Sequence, residues 1–192
     1  MNLSHLFETQ KQLDEHIENE HPRQDGEDRL SKKILALQVE LGELANEWRG
    51  FKYWSQNQAP RTKKSRRPYM DLEDAEFYNP FLEEYVDCLH FILSIGLELG
   101  INEIYTDVQP FVDERLDNVT IMFHQIFASL SNLFWMYHYE QSKSDGSKHF
   151  EYLELSQCFL QLGEMLRFSW NEIETAYFEK NAVNHKRQET GY

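Results

Sequence analysis

Five acidic residues fall at helical spacing on two segments of the chain. Glu40, Glu43 and Glu47 follow one another at steps of three and four, and Glu84 and Asp87 are three apart. Residues at these steps share one face of a helix. Both sets flank an apolar stripe, where carboxylates repel one another and lose hydration. A divalent cation relieves both costs, so the spacing predicts a Mg²⁺ site between two helices and chemistry on phosphate.

Each acidic set has an ordinary explanation when it is taken alone. A pair of glutamates three residues apart is common on solvated helix faces and by itself predicts nothing more. Two sets on neighbouring helices strengthen the metal hypothesis, because packing their flanks together would collect four or five carboxylates. A cluster of that size could hold two or more Mg²⁺ ions.

A second polar face lies near the C-terminus. Lys180, Asn184 and Arg187 step by four and three, so they share one helical face. Such a face can present two cations and an amide to a polyphosphate. The alternative is a solvated basic tail that complements the C-terminal end of the helix, and spacing alone favours that alternative.

Other residues are candidates to contact a nucleobase. Gln10 falls on the apolar stripe of its helix with Asp14 beside it. A buried amide donates and accepts, which suits the edge of uracil, although a helix–helix hydrogen bond is the simpler explanation. Trp54 and Phe91 could stack on a base, or they could pack in the core as most aromatics do. His90 points away from Phe91 and is predicted to be structural.

The elements that must position these residues are helices. Apolar residues recur at steps of three and four along six segments, which predicts an all-α bundle of about six helices. The expected helices cover residues 3–20, 28–49, 81–99, 113–140, 149–167 and 170–188. Gly50 is expected to end the second helix. The basic segment at about 56–68 is expected to be a mobile surface loop, and no strand is expected.

Composition limits the class of protein. A chain of 192 residues suits one domain with a real core, so we expect a single domain over 1–192. The net charge of −14 argues against a surface that binds nucleic-acid polymers. The two cysteines form no disulfide or metal-finger pattern. With neither a signal peptide nor a membrane-length apolar run, we expect a cytoplasmic protein that binds no membrane.

Four stretches of the sequence resemble one known family. They are ELGELANE at 40–47, FKYW at 51–54, EEYVDCLHFILSIGLELG at 83–100 and YFEKNAVNHKRQETGY at 177–192. The chain is similar over nearly its whole length to the dimeric all-α dUTP pyrophosphatases, which are relatives of the MazG-like nucleotide pyrophosphohydrolases. The acidic motifs are shared by that wider superfamily, whereas the C-terminal string is far more specific to the dUTPase branch.

The resemblance implies a homodimer that uses Mg²⁺, two or more ions per site, to hydrolyse dUTP. It also implies activity on dUDP, with dUMP as the product and pyrophosphate or phosphate released. Glu43 is implied both to bind metal and to orient or deprotonate the attacking water. The implied metal ligands are Glu40, Glu43, Glu84 and Asp87. The implied phosphate contacts are Lys180, Asn184, Arg187 and Tyr192.

The same resemblance implies contacts to the base. Gln10 would recognise uracil and Phe91 would stack on it. Asp14 occupies a position where some relatives carry Asn. Trp54 and Lys52 lie in a stretch that belongs to the nucleotide pocket in the family.

Two other functions stay open. A pyrophosphohydrolase of dCTP, or of several dNTPs, would use the same metal site, because only a few hydrogen bonds to the base edge separate these substrates, and Asp14 can alter them. A non-catalytic acidic bundle that binds a partner protein is the second alternative, but a scaffold gains nothing from crowded carboxylates. Forty residues separate Glu43 from Glu84, more than is usual in the superfamily, so an inserted loop is expected between them.

Overall fold

The computed structural model describes residues 1–66, 76–102, 106–111, 117–139 and 145–191, without the side chains of 145–148. Most of this chain is helical, as predicted, and the fold is all-α. The helices are α1 (Ser4–Glu20), α2 (Arg29–Trp48), α3 (Pro80–Glu98), α4 (Val119–Tyr139), α5 (Asp145–Met165) and α6 (Trp170–Glu189). Two short strands, β1 (Lys64–Ser65) and β2 (Phe77–Tyr78), form an antiparallel ribbon between α2 and α3.

The predicted boundaries are correct to within about two residues except at α4 and α5. α4 begins at Val119 rather than near 113, because Asn118 accepts a hydrogen bond from the backbone of Thr120 and starts the helix there. α5 begins at Asp145 rather than at 149, so residues 145–148, which the predicted helices left out, are helical. The expectation of no strand was also wrong, since a ribbon of two residue pairs is too short for alternation to show in the sequence.

α2 and α3 form the pair on which the carboxylates depend. Asp28 caps α2 by accepting from the backbone of Ser31, and Asn79 caps α3 by accepting from that of Leu82. The two helices pack closely along their lengths. Their apolar stripes are buried, so the acidic flanks beside those stripes are turned toward one another.

The C-terminal end of α2 differs from the prediction. Arg49, not Gly50, takes the left-handed conformation that ends the helix, with a φ of 67°. Gly50 is required for another reason. A Cβ at Gly50 would overlap the indole of Trp48, which packs on Phe123 of α4. The glycine therefore makes room for the contact between α2 and α4.

The remaining helices enclose the α2–α3 pair. α1 and α6 pack on α3 and on each other, while α4 packs on α2 and on α5. The core is continuous through all six helices and includes the buried hydroxyls of Tyr85 and Tyr152, which donate to the carbonyls of Phe159 and Ile92. In the described part of the chain, no helix is long and apolar enough to cross a membrane.

The predicted basic loop is only partly described, up to residue 66. Residues 56–64 are exposed, as expected for a surface segment. The loop is tied to the bundle at Arg61, whose guanidinium forms an ion pair with Glu47 at 3.1 Å. The carbonyl of Arg61 also accepts from the backbone N–H of Phe81 at 3.3 Å. These contacts join the loop to the end of α2 and the start of α3.

Candidate active site

The facing flanks of α2 and α3 bring three carboxylates together. One oxygen from each of Glu40, Glu84 and Asp87 lies within 4.8 Å of the other two. All three side chains are half-buried. Among the described residues, no other group of three acidic, histidine or cysteine side chains is as close.

The charge of this cluster is poorly compensated. Burial first, and then the charges of Asp87 and Glu43, raise the pKa of Glu40 to about 7. The same causes, with Glu40 added, raise the pKa of Glu84 to about 7. Burial also raises the pKa of Asp87, although Lys180 opposes the shift. Hard oxygen donors whose negative charge the protein compensates only in part fit a divalent cation such as Mg²⁺.

Glu43 borders the cluster without belonging to its closest group. It lies one turn beyond Glu40 on α2 and is exposed, yet its charge raises the pKa of both Glu40 and Glu84. Its role as a metal ligand and base stays a prediction. Glu47, one turn further, is engaged in the ion pair with Arg61.

α6 brings a cation to the same place. The ammonium of Lys180 donates to Asp87 at 2.6 Å and to Glu83 at 2.9 Å, and only 10% of this side chain is exposed. Lys180 and Arg187 both lower the pKa of Glu40. Arg187 also donates to the amide oxygen of Asn184 at 3.4 Å. The polar face predicted on the C-terminal helix therefore faces the carboxylates.

A cleft of about 800 Å³ begins beside the carboxylates and is lined by residues of α1, α2, α3 and α6. Glu40 and Asp87 line one end of it. Its volume is within the range of small-molecule sites. The other predicted site residues that line it are Gln10, Asp14, Phe91, Asn184 and Arg187.

Gln10 of α1 lines the cleft and is buried in a hydrogen-bond network. Its amide oxygen is 2.8 Å from the hydroxyl of Tyr177 and 2.7 Å from Nδ1 of His90. Its amide nitrogen donates to Asp14 at 2.7 Å. The hydrogen bond between helices that the sequence favoured for Gln10 is therefore present, on a residue that also lines the cleft.

Asp14 and His90 are themselves held in place. Asp14 accepts from the ammonium of Lys33 at 3.2 Å and from the hydroxyl of Ser94. His90 stacks on Tyr177 with ring centroids 4.2 Å apart. Burial, and then the charge of Lys180, lower the pKa of His90 to about 3, so its imidazole is neutral.

Sequence reasoning missed several of these neighbours. His90 was predicted to be structural, and it is buried, but it also lines the cleft and contacts Gln10. Ser94 offered a signal, as a hydroxyl within an apolar helical stretch. Tyr177 lies one turn before Lys180, and Lys33 lies beside Ile34. Neither position in the sequence predicts a contact with a residue on another helix.

Six predicted site residues of the described structure are not among those that line the cleft: Glu43, Glu47, Glu84 and Lys180 on α2, α3 and α6, and Lys52 and Trp54 in the loop after α2. Trp54 is 65% exposed and contacts the rings of Phe51 and Tyr53. Lys52 donates to the side chain of Asn46. Neither is among the residues that line the cleft. The predicted phosphate contact Tyr192 lies outside the described residues.

The helices enclose a cleft that is bordered by a carboxylate cluster and by the cationic side chains of α6. These features are typical of a helical hydrolase that acts on phosphorylated substrates. A sequence model of the dUTPase family matches residues 2–192, and the chain belongs to that family. It is therefore an enzyme that hydrolyses dUTP, as the motifs predicted, and its all-α fold agrees with a place in the MazG-like superfamily. No curated protein matches the chain.

Proposed function

We propose that this dUTPase uses Mg²⁺ to convert dUTP, and also dUDP, to dUMP. In this role it would limit dUTP and supply dUMP. The observation that carries the proposal is a carboxylate cluster that borders a cleft. Glu40 and Asp87 of the cluster line the cleft beside the buried Lys180, and the fixed amide of Gln10, suited to a base edge, lines it as well.

The carboxylate end supplies the ligands. Glu40, Glu84 and Asp87 would bind Mg²⁺, with Glu43 as a fourth ligand from the next turn of α2. When bound, two or more ions would neutralise phosphate oxygens and lower the pKa of a water molecule. The raised pKa values of Glu40 and Glu84 support this assignment, because burial and then the neighbouring carboxylates disfavour their charged forms, and a bound cation would relieve both effects.

The chain's own residues would then act on water and phosphate. Glu43 is exposed at the edge of the cluster, so it can orient a water molecule and accept its proton as the water attacks the α-phosphorus. Lys180 and Arg187 would stabilise the negative charge that grows on the leaving pyrophosphate. Asn184, which accepts from Arg187, would keep that guanidinium turned toward the cleft.

The aromatic side chain for the base is Phe91. It is half-buried, lies one turn beyond Asp87 on α3 and lines the cleft. Stacking on an aromatic ring is worth about 1–3 kcal/mol per base. Gln10, which also lines the cleft, would form the hydrogen bond that recognises uracil.

The test is product release from dUTP, dUDP, dCTP, dTTP and UTP, each with Mg²⁺ and with EDTA. We expect Mg²⁺-dependent formation of dUMP from dUTP and dUDP, and slow turnover of the other three. Equal turnover of dCTP or of all dNTPs would replace the proposal with the broad pyrophosphohydrolase. Turnover of dUTP that survives EDTA would show that the cluster is not a metal site.

We also propose that two copies of the chain form a homodimer through α2 and α4. Leu35 and Val39 on α2, and Trp135 and Tyr139 on α4, are all more than half exposed. These two helices pack on each other, and large apolar side chains at such a place are typical of a subunit interface. Sedimentation should show a dimer that Leu35→Lys with Val39→Lys dissociates, whereas Val183→Lys on α6 should leave it intact.

A cytoplasmic location is part of the same proposal. Cys88 and Cys158 are both free and buried, which suits a reducing compartment. The substrate is a nucleotide, and neither a nucleic-acid polymer nor a membrane is proposed as a partner. Fractionation of cells that express a tagged chain would test the location.

A further inference from the structure

We propose that Glu83 is a positioning residue that keeps the ammonium of Lys180 beside the carboxylate cluster when a cation occupies Asp87. In this role Glu83 is not a metal ligand. It is the anionic partner that remains for a buried lysine when that lysine gives up Asp87. The inference rests on the proposed function, because it assumes that Mg²⁺ binds to the cluster.

Lys180 is shared between two carboxylates on one face of α3. Its ammonium donates to Asp87 at 2.6 Å and to Glu83 at 2.9 Å. Glu83 and Asp87 are four residues apart, so successive turns of α3 place both beside α6. Only 10% of the Lys180 side chain is exposed. An ammonium that has lost most of its hydration requires an anionic partner, because an unpaired buried charge is costly.

The two carboxylates have different surroundings. Asp87 belongs to the close group with Glu40 and Glu84, whereas Glu83 is outside that group in the described structure. A cation at the cluster therefore competes with Lys180 for Asp87. If Asp87 were its only anion, Lys180 would either exclude the cation or remain buried and unpaired. Because Glu83 also accepts from Lys180, the lysine can release Asp87 and keep a partner.

Glu83 is itself held in place by two further features. It lies in the first turn of α3, where the helix dipole favours a negative charge. Its Oε1 accepts from Lys180, while its Oε2 lies 3.9 Å from the guanidinium of Arg66, the residue after β1. That guanidinium lies over the ring of Tyr78 in β2, 4.4 Å from the centroid. The ribbon between α2 and α3 therefore contacts the site through Glu83.

The consequence is a site that can hold a metal ion and an ammonium at the same time. Lys180 can stabilise the leaving pyrophosphate only if it stays at the cluster after the cation has bound. Glu83 provides the contact that keeps it there. Only 22% of the Glu83 side chain is exposed, so this ion pair is shielded from the solvent that weakens most surface pairs.

The test measures the affinity for Mg²⁺ alone by titration calorimetry, which requires no turnover. It compares the wild type, Glu83→Gln, Lys180→Met and the variant with both substitutions. We expect Glu83→Gln to weaken Mg²⁺ binding about ten-fold or more, because Asp87 is then the only anion left to Lys180. In the Lys180→Met background, where the competing ammonium is absent, Glu83→Gln should weaken binding no more than about two-fold.

The matched control is Glu76→Gln, which removes the same charge from another partner of Arg66. The Glu76 side chain is 62% exposed, and the described structure shows no ion pair between it and Lys180. Its Mg²⁺ affinity should stay within about two-fold of the wild type. An equal loss from Glu83→Gln in both backgrounds would overturn the proposal, because Glu83 would then act as a ligand or through its charge alone. Unchanged Mg²⁺ binding in Glu83→Gln would overturn it as well.

A second measurement follows Lys180 in the wild-type protein and needs no variant. Nitrogen-15 NMR detects a lysine ammonium whose protons are protected by burial and hydrogen bonds. We expect the Lys180 signal to persist when Mg²⁺ is added, because Glu83 still accepts from it. Loss of that signal on Mg²⁺ binding would overturn the proposal. Absence of Mg²⁺ binding to the wild type would refute the proposed function and this inference together, whereas equal losses in the two backgrounds would overturn this inference alone.

Discussion

Two neighbouring groups of polar residues differ in how the protein compensates them. In the carboxylate cluster, Glu40 and Glu84 have pKa values raised to about 7, because burial and mutual repulsion exceed the compensation from nearby cations. Beside His90, one turn further along α3, the Gln10 oxygen and the Asp14 carboxylate are both supplied with donors from the protein itself. The cluster therefore keeps negative charge that an external cation could compensate, whereas the Gln10 amide is already fixed by its neighbours.

The largest effect is expected when the exposed carboxylate at the edge of the cluster is neutralised. Glu43→Gln removes the proposed base, and we expect kcat for dUTP to fall by about 10³-fold or more while the helical circular dichroism is unchanged. Glu47→Gln, one turn along the same helix, should change kcat less than about three-fold, because Glu47 is paired with Arg61. Near-normal turnover in Glu43→Gln would refute the assignment of the base.

A smaller effect is expected on the cationic wall. Arg187→Ala removes a guanidinium that lines the cleft, and we expect KM for dUTP to rise about ten-fold or more. The neighbouring exposed residue supplies the control, since Lys186→Ala should leave KM within about two-fold. An unchanged KM in Arg187→Ala, measured by initial rates, would mean that α6 does not contact the phosphates.

The sequence predicted features that depend on residues close together in the chain, and it missed contacts between residues far apart in the chain. The sequence predicted the cluster of Glu40, Glu84 and Asp87 because a spacing of three residues fixes the helix face. The apolar stripes beside these carboxylates pack together and bring the two acidic flanks close. The partners of Gln10 were not found, because His90 and Tyr177 lie 80 and 167 residues away. Hydrophobic periodicity does not show which helices pack against one another at Gln10.

The loops gave the weakest predictions for a related reason. Trp54 was assigned to the nucleotide pocket from the family motif, but turns at 51–54 leave it on the surface against Phe51 and Tyr53. The two-residue strands escaped notice because they are too short to repeat a pattern and pair with residues distant in the sequence. Short contacts between distant residues leave little trace in one sequence.

The pH dependence of stability would sharpen the comparison further. A carboxyl group with a higher pKa in the folded chain binds more protons when folded, so its contribution to stability falls as pH rises from about 4.5 to about 7. Mg²⁺ competes with those protons and should raise Tm more at pH 8 than at pH 5, with a difference on the order of 5 °C.

Differential scanning fluorimetry with Mg²⁺ and with EDTA measures this increment. The control is Glu84→Gln, which removes one of the two shifted groups and should make the Mg²⁺ increment smaller and less dependent on pH. If the increase in Tm is the same at pH 5 and pH 8, then Mg²⁺ does not bind at the carboxyl groups whose pKa is raised.

The smallest effect concerns the two aromatic candidates for the base. Phe91→Ala should raise KM for dUTP by at least about five-fold, because its ring lines the cleft and stacking is worth about 1–3 kcal/mol. Trp54→Ala should change KM less than about two-fold, because the 65% exposed indole lies among other loop aromatics. A ten-fold rise in Trp54→Ala would instead show that the loop closes on bound nucleotide. In that case the site for the base would be completed only when substrate is present.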